Sequence, residues 1–145
     1  MELKHANHCF YKIRYHMFFC INCRKNILNN DAVNFLKNIC SESGERYPFE
    51  FDAIGCDGDE VHLFVGAEPK YSPSRVMQII KSITARKIFK ICTKLKTVLV
   101  GELWSDRCYI GTVGYGTTSD IITNMFRIRG IRKKSKHICK RKYII

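Results

Sequence analysis

Two alternating runs, Phe49-Glu50-Phe51-Asp52-Ala53-Ile54 and Glu60-Val61-His62-Leu63-Phe64-Val65-Gly66, flank Asp57-Gly58-Asp59. Alternation is the period of a half-buried strand, and an Asp-Gly pair between two such strands favours a tight turn, so the chain must fold around an antiparallel hairpin. Successive strand side chains point to opposite faces. In the second run Val61, Leu63 and Val65 therefore face a core, whereas Glu60, His62 and Phe64 face the other way. Glu60 and His62 stand two residues apart, roughly 6.5 Å along a strand, and side chains at that spacing can converge on one divalent ion. A carboxylate with an imidazole suits Mg, Mn or Zn. The same pair equally suits the polar face of an ordinary surface strand, and spacing alone does not choose.

Other elements arrange themselves around this hairpin. A first strand is expected over residues 8–21, where Tyr11, Ile13, Tyr15, Met17 and Phe19 alternate with Lys12, Arg14, His16 and Phe18. Asn29-Asn30-Asp31 supplies capping side chains for a helix through Ala32, Val33, Leu36, Ile39 and Cys40, ending near Gly44. Ser72-Pro73 is a second helix start, with Ser72 as N-cap and Pro73 where a missing N–H costs nothing. Val76, Ile79, Ile80, Ile83 and Lys87 share one face of that helix, and Arg75, Lys81, Arg86 and Lys90 flank it. The state of residues 92–100 is left open. Residues 102–113 read as a final strand region, and Thr117, Thr118 or Ser119 can cap a last helix over about 120–126. The order β-α-β-β-α-β with an extra C-terminal helix is the split βαβ of an α+β, ferredoxin-like fold. Such a fold hosts many functions.

Charge separates the chain into two parts. The net charge is +12, yet residues 121–145 carry nine basic side chains (Arg127, Arg129, Arg132, Lys133, Lys134, Lys136, Lys140, Arg141 and Lys142) and no acid. The remaining residues hold 16 basic against 13 acidic side chains and are nearly balanced. A domain over 1–126 followed by a basic tail over 127–145 is the resulting division, and the tail reads as a phosphate-binding segment for nucleic acid. No run approaches the roughly 18 apolar residues of a membrane span, and the mixed, polar start makes a cytoplasmic chain the default. Eight scattered cysteines fit small buried hydrophobes of a reducing compartment better than a disulfide scaffold. Cys20-Ile21-Asn22-Cys23 has no second pair at zinc spacing.

With these elements placed, the chain resembles the small tyrosine-dependent single-strand DNA transposases of the IS200/IS605 group, within the HUH nuclease superfamily. The resemblance runs over most of residues 8–123. It rests on Tyr15-His16-Met17-Phe18, Arg24-Lys25, Asp59-Glu60-Val61-His62-Leu63-Phe64-Val65, Pro73-Ser74, Lys81-Ser82, Leu103-Trp104-Ser105 and Cys108-Tyr109-Ile110-Gly111-Thr112-Val113-Gly114. It implies a homodimer acting on single-stranded or hairpin DNA, with a divalent metal, Mg or Mn, held by two histidines that flank one hydrophobic residue. It also implies a tyrosine on the last helix that attacks the scissile phosphate to form a covalent link. Here His62 is kept and Glu60 replaces the first histidine, so Glu60 and His62 are the expected metal ligands. The nucleophile position falls near Asn124 or Met125, and no tyrosine lies between Gly116 and Lys142. Ile128 and Arg129 occupy the neighbourhood of the glutamine that usually adds a metal contact.

Three accounts follow: a degenerate copy that keeps the fold and has lost the nucleophile, a relative retained for DNA binding without cleavage, and a displaced nucleophile, Tyr115 or Tyr143. An RNA-binding protein on the same fold is a further reading. The expected DNA contacts are Arg24, Lys25, Lys81, Arg127, Arg129, Arg132, Lys133 and Lys134. His16 is expected to support the sheet or sit near the metal strand, Trp104 to be a core or dimer-contact aromatic, and Tyr109 to be packed.

Overall fold

The computed structural model describes residues 3–22 and 30–114. Its elements are β1 (Lys4–Ala6), β2 (Cys9–Tyr11), β3 (Tyr15–Ile21), α1 (Asn30–Arg46), β4 (Phe49–Asp57), β5 (Glu60–Ala67), α2 (Pro73–Ile91), α3 (Thr93–Val98) and β6 (Trp104–Thr112). Strands β4, β5, β3 and β6 form one sheet in that spatial order, every neighbouring pair antiparallel. Taken in chain order the four strands lie 2-3-1-4, the split βαβ expected from the sequence.

The hairpin forms where its turn residues place it. Gly58, at φ 67°, turns the chain, and Asp57 opposite Glu60 opens a register that runs to Phe49 opposite Ala67. One extra residue, Asp52, bulges from β4 between Phe51 and Ala53. The helix start at Ser72 also forms as expected, its hydroxyl accepting from the Arg75 backbone N–H at 3.2 Å.

The first strand differs from the expectation over residues 8–21. It is broken, with a short β1–β2 hairpin ahead of β3. The alternation continues through Lys12, Ile13 and Arg14, but Arg14 is drawn into a buried ion cluster described below, and regular pairing resumes only at Tyr15. Residues 92–100 resolve into the short helix α3, which exits through Val100 at φ 54° and Gly101 at φ 80°.

The core lies on one side of the sheet. Met17, Phe19 and Ile21 of β3 and Val61, Leu63 and Val65 of β5 are at most 1% exposed. They pack with Leu36 and Ile39 of α1 and Val76, Met77 and Ile80 of α2. Fully burying one such side chain contributes about 1.5–3 kcal/mol, so this layer dominates the stability. Trp104 belongs to it: its ring meets Phe19 edge-on at 4.6 Å and its Nε1–H donates to Thr84 Oγ1 at 2.9 Å. Lys87, read as part of the apolar face of α2, instead forms an ion pair with Glu42 of α1. Among the described residues no helix is long and apolar enough to cross a membrane.

Candidate functional site

Because the helices cover one face, the strand registers decide what gathers on the other. His16 pairs with Phe64 and Gly111, Phe18 with His62 and Tyr109, and Cys20 with Glu60. On β4, Ala53 lies opposite Phe64 and Gly55 opposite His62. One side of the sheet thus carries an acid, two histidines and three aromatic rings drawn from three strands.

At its centre Glu60 Oε2 lies 3.7 Å from His62 Nε2, with the two side chains 5% and 25% exposed. Adjacent ligands of an octahedral site with bonds of roughly 2.1 Å lie roughly 3.0 Å apart, so an inward movement of about 0.7 Å would let both atoms share one cation. The donor chemistry, one carboxylate and one imidazole, fits Mg or Mn with waters completing the shell. Among the described residues no group of three or more His, Cys, Asp or Glu side chains is close enough to hold a metal alone. His62 Nδ1, the nitrogen that a second hydrogen bond normally fixes in a metal-bound imidazole, is buried and has no hydrogen-bond partner among the described residues.

His16 is a wall of this site. Its ring stacks on Phe64 at 5.4 Å with an interplanar angle of 4° and lies 5.9 Å from the His62 ring. Burial, and secondarily the neighbouring His62, push His16 down to about 4, so it is neutral at physiological pH. Phe64 faces away from the helices as its place in the alternation requires, yet it is only 3% exposed. Phe18 bridges the face, 5.4 Å from His62 and 5.1 Å from Tyr109. Tyr109 is less packed than its strand position implies: it is 48% exposed.

Above this cluster lies a buried arginine. Arg14 is 4% exposed and donates from Nε to Asp52 Oδ2 at 2.6 Å and from Nη2 to Glu50 Oε2 at 2.5 Å. Lys4 joins Glu50 at 3.2 Å. The guanidinium crosses Gly66, where a Cβ would sit 2.1 Å from Nη1. The β4 bulge at Asp52 and the absent side chain at Gly66 make room for this clamp, which sequence reasoning missed because neither feature is local to Arg14.

The expected site residues divide accordingly. Glu60 and His62 come together. Lys81 lies apart from them, its ammonium donating to the Ser105 carbonyl at 2.8 Å and resting 5.7 Å from the centre of the Phe19 ring. Arg24, Lys25, Tyr115, Asn124, Met125, Arg127, Arg129, Arg132, Lys133, Lys134 and Tyr143 lie outside the described residues, as do the last helix and the boundary at 126/127.

Comparisons with known proteins agree with this architecture. The family described as Transposase IS200 like matches residues 9–124. The ISDra2 transposase TnpA of Deinococcus radiodurans is 27% identical over 122 residues, covering 83% of this chain and 87% of that protein. A transposase crystal structure from Deinococcus radiodurans R1 superposes with a TM-score of 0.69 at 26% identity, covering 86% of this chain and 96% of that one. The structure of a REP-associated tyrosine transposase bound to a REP hairpin shares the fold at a TM-score of 0.53 and 14% identity, covering 83% of this chain and 67% of that one. With most of its length matched, the chain belongs to the IS200-like transposase family, a family of DNA transposition.

Proposed function

We propose that this chain binds single-stranded DNA, including strands folded into hairpins, across the sheet face opposite the described helices, with Glu60 and His62 as two ligands of a divalent cation, Mg or Mn. The observation that carries the reading is the Glu60–His62 pair, 3.7 Å apart on the strand that resembles the family's metal strand. A cation bound there supplies Lewis-acid polarisation of a phosphodiester. Glu60 and His62 hold and orient it, while His16, Phe18 and Phe64 shield its sheet-side surroundings from water. Arg24, Lys25, Arg127, Arg129, Arg132, Lys133 and Lys134 neutralise phosphates along the strand, which makes the binding salt-sensitive. The working unit is a homodimer, as the family resemblance implies.

Cleavage in this copy is weakened or lost. Two sequence features support that reading: no tyrosine lies between Gly116 and Lys142, and glutamate stands where the family's first metal histidine would be. The alternative it leaves is a non-catalytic binder of single-stranded or hairpin nucleic acid derived from a transposase.

The test combines circular single-stranded DNA, Mg or Mn and the purified chain. The expected result is a salt-sensitive shift of hairpin DNA with little or no nicking and no covalent protein–DNA band on a denaturing gel. A strong metal-dependent adduct would overturn the loss of cleavage, and peptide mapping would locate the nucleophile. Calorimetric titration with Mn checks the cation pair independently of activity: His62→Ala and Glu60→Gln should each weaken it at least tenfold. Equal Mn affinity in all three proteins would remove the pair from the proposal, and tighter binding of single-stranded RNA than of DNA would redirect it to RNA.

A further inference from the structure

We infer that Tyr109 and the glycine beneath it, Gly111, form a stacking platform for one nucleobase of a single-stranded DNA strand whose backbone passes the Glu60–His62 pair. The inference rests on the binding mode proposed above and assigns a base subsite within it.

The platform is built by a missing side chain. Tyr109 and Gly111 are two residues apart on β6, so both face the site side of the sheet. A Cβ at Gly111 would lie 2.7 Å from Tyr109 Oη, 3.0 Å from Cε1 and 3.1 Å from Cζ. Only glycine lets the phenol ring lie down across its own strand in this way. Phe18 stacks on the ring at 5.1 Å and 18°, and His16 meets it edge-on at 5.8 Å and 67°. The ring is therefore fixed in place while 48% of the residue stays exposed. A fixed aromatic surface loses little entropy on receiving a ligand.

Size and distance select the occupant. Tyr109 is the one exposed large apolar side chain in the four-stranded sheet among the described residues; the others are Leu3, Phe10, Ile91, Val98 and Val100. A single open ring is far smaller than a protein-docking patch, which covers some hundreds of Å², but it matches the face of one base. Every base offers a π-face, so such stacking tolerates sequence. Tyr109 lies two strands from His62, about 10 Å at the usual strand spacing, linked through the Phe18 ring 5.4 Å from His62. That distance suits the base of the same or the neighbouring nucleotide when its phosphate sits at the Glu60–His62 pair. It is too long for the Tyr109 hydroxyl to attack that phosphate, which requires reacting atoms about 3–3.5 Å apart. A net charge of +12 favours a polyanionic partner on electrostatic grounds.

The experiment measures binding of the full chain by fluorescence anisotropy, using an oligothymidine of about 12 nucleotides, within the range one such module covers, and an abasic phosphodiester strand of equal length. Wild type should prefer the base-bearing strand. Tyr109→Ala should weaken oligothymidine binding about 5- to 30-fold and leave abasic binding within about twofold. Tyr109→Phe should stay close to wild type. Gly111→Ala, which lifts the ring without removing it, should reproduce part of the Tyr109→Ala loss, with thermal melts confirming that the variants fold. If wild type binds oligothymidine and Tyr109→Ala binds it equally well, the platform is wrong while the binding mode stands. If Tyr109→Phe loses as much as Tyr109→Ala, the hydroxyl and not the ring face makes the contact, and the platform is again overturned. If wild type binds neither strand, the binding mode fails and takes the base subsite with it.

Discussion

Replacing Gly66 by alanine is the sharpest test of the Arg14 clamp. The new methyl would sit 2.1 Å from Arg14 Nη1 and 2.7 Å from Cζ, so the guanidinium must leave. Its bonds to Asp52 and Glu50, at 2.6 and 2.5 Å, would go with it. Breaking a buried ion pair costs about 3–5 kcal/mol. Here the Glu50 and Asp52 side chains remain 44% and 34% exposed, and water partly replaces Arg14 for them, so the expected cost falls to about 2 kcal/mol. For a domain of this size that is a loss of roughly 6–10 °C in Tm. Urea and thermal denaturation of Gly66→Ala, Arg14→Ala and the double variant form a cycle. With Arg14 gone, the methyl meets chiefly the Ile13 carbonyl oxygen at 3.1 Å, and Gly66→Ala should then cost no more than about 1 kcal/mol. Equal costs in both backgrounds would refute the idea that Gly66 is required because of Arg14.

Other outcomes follow from the same packing. Partial burial raises the Glu50 carboxyl, but the hydrogen bonds and charges of Lys4 and Arg14 outweigh it and hold the group below its ordinary value. Its stabilising contribution is present above the unfolded-state carboxylate pKa and disappears as pH falls through the lower folded value, so Glu50→Gln should flatten the acid limb of a stability–pH profile. Burial pushes the Cys40 thiol up to about 12 and the Cys56 thiol up to about 11, whereas Cys9 and Cys108 are exposed. Alkylation at pH 8 followed by mass spectrometry should label Cys9 and Cys108 well before Cys40 and Cys56; the reverse order would contradict the packing of β4 against α1. Ser72→Ala should remove the cap of α2 and cost about 1 kcal/mol in denaturant melts.

The sequence disclosed the elements whose signals are local. Asp57-Gly58-Asp59 between alternating runs specified the β4–β5 hairpin, and Ser72-Pro73 specified the start of α2, because turn and cap chemistry act within a few residues. The same alternation placed Glu60 and His62 on one face. It misled at Lys12–Arg14, where the pattern persists but Arg14 answers to Glu50 and Asp52, 36 and 38 residues away. The aromatic face was hidden for a related reason. His16, Phe18, Phe64 and Tyr109 meet only once the strand order β4-β5-β3-β6 is known, and long-range pairing leaves no periodic trace. Tyr109 read as packed because a strand tyrosine usually is; its open ring depends on β6 being an edge strand among the described residues and on Gly111.

Trp104 turns the two faces of the sheet into separate optical channels. It is the only tryptophan in the sequence, and its indole is 7% exposed on the helix-covered side, bonded to Thr84 of α2. Emission from that indole reports whether the sheet still holds α2. A DNA strand lying on the opposite face does not touch it. A red shift of tryptophan fluorescence therefore marks unfolding, and a change confined to tyrosine fluorescence that disappears in Tyr109→Phe marks an event on the side of Tyr109, one of seven tyrosines in the sequence.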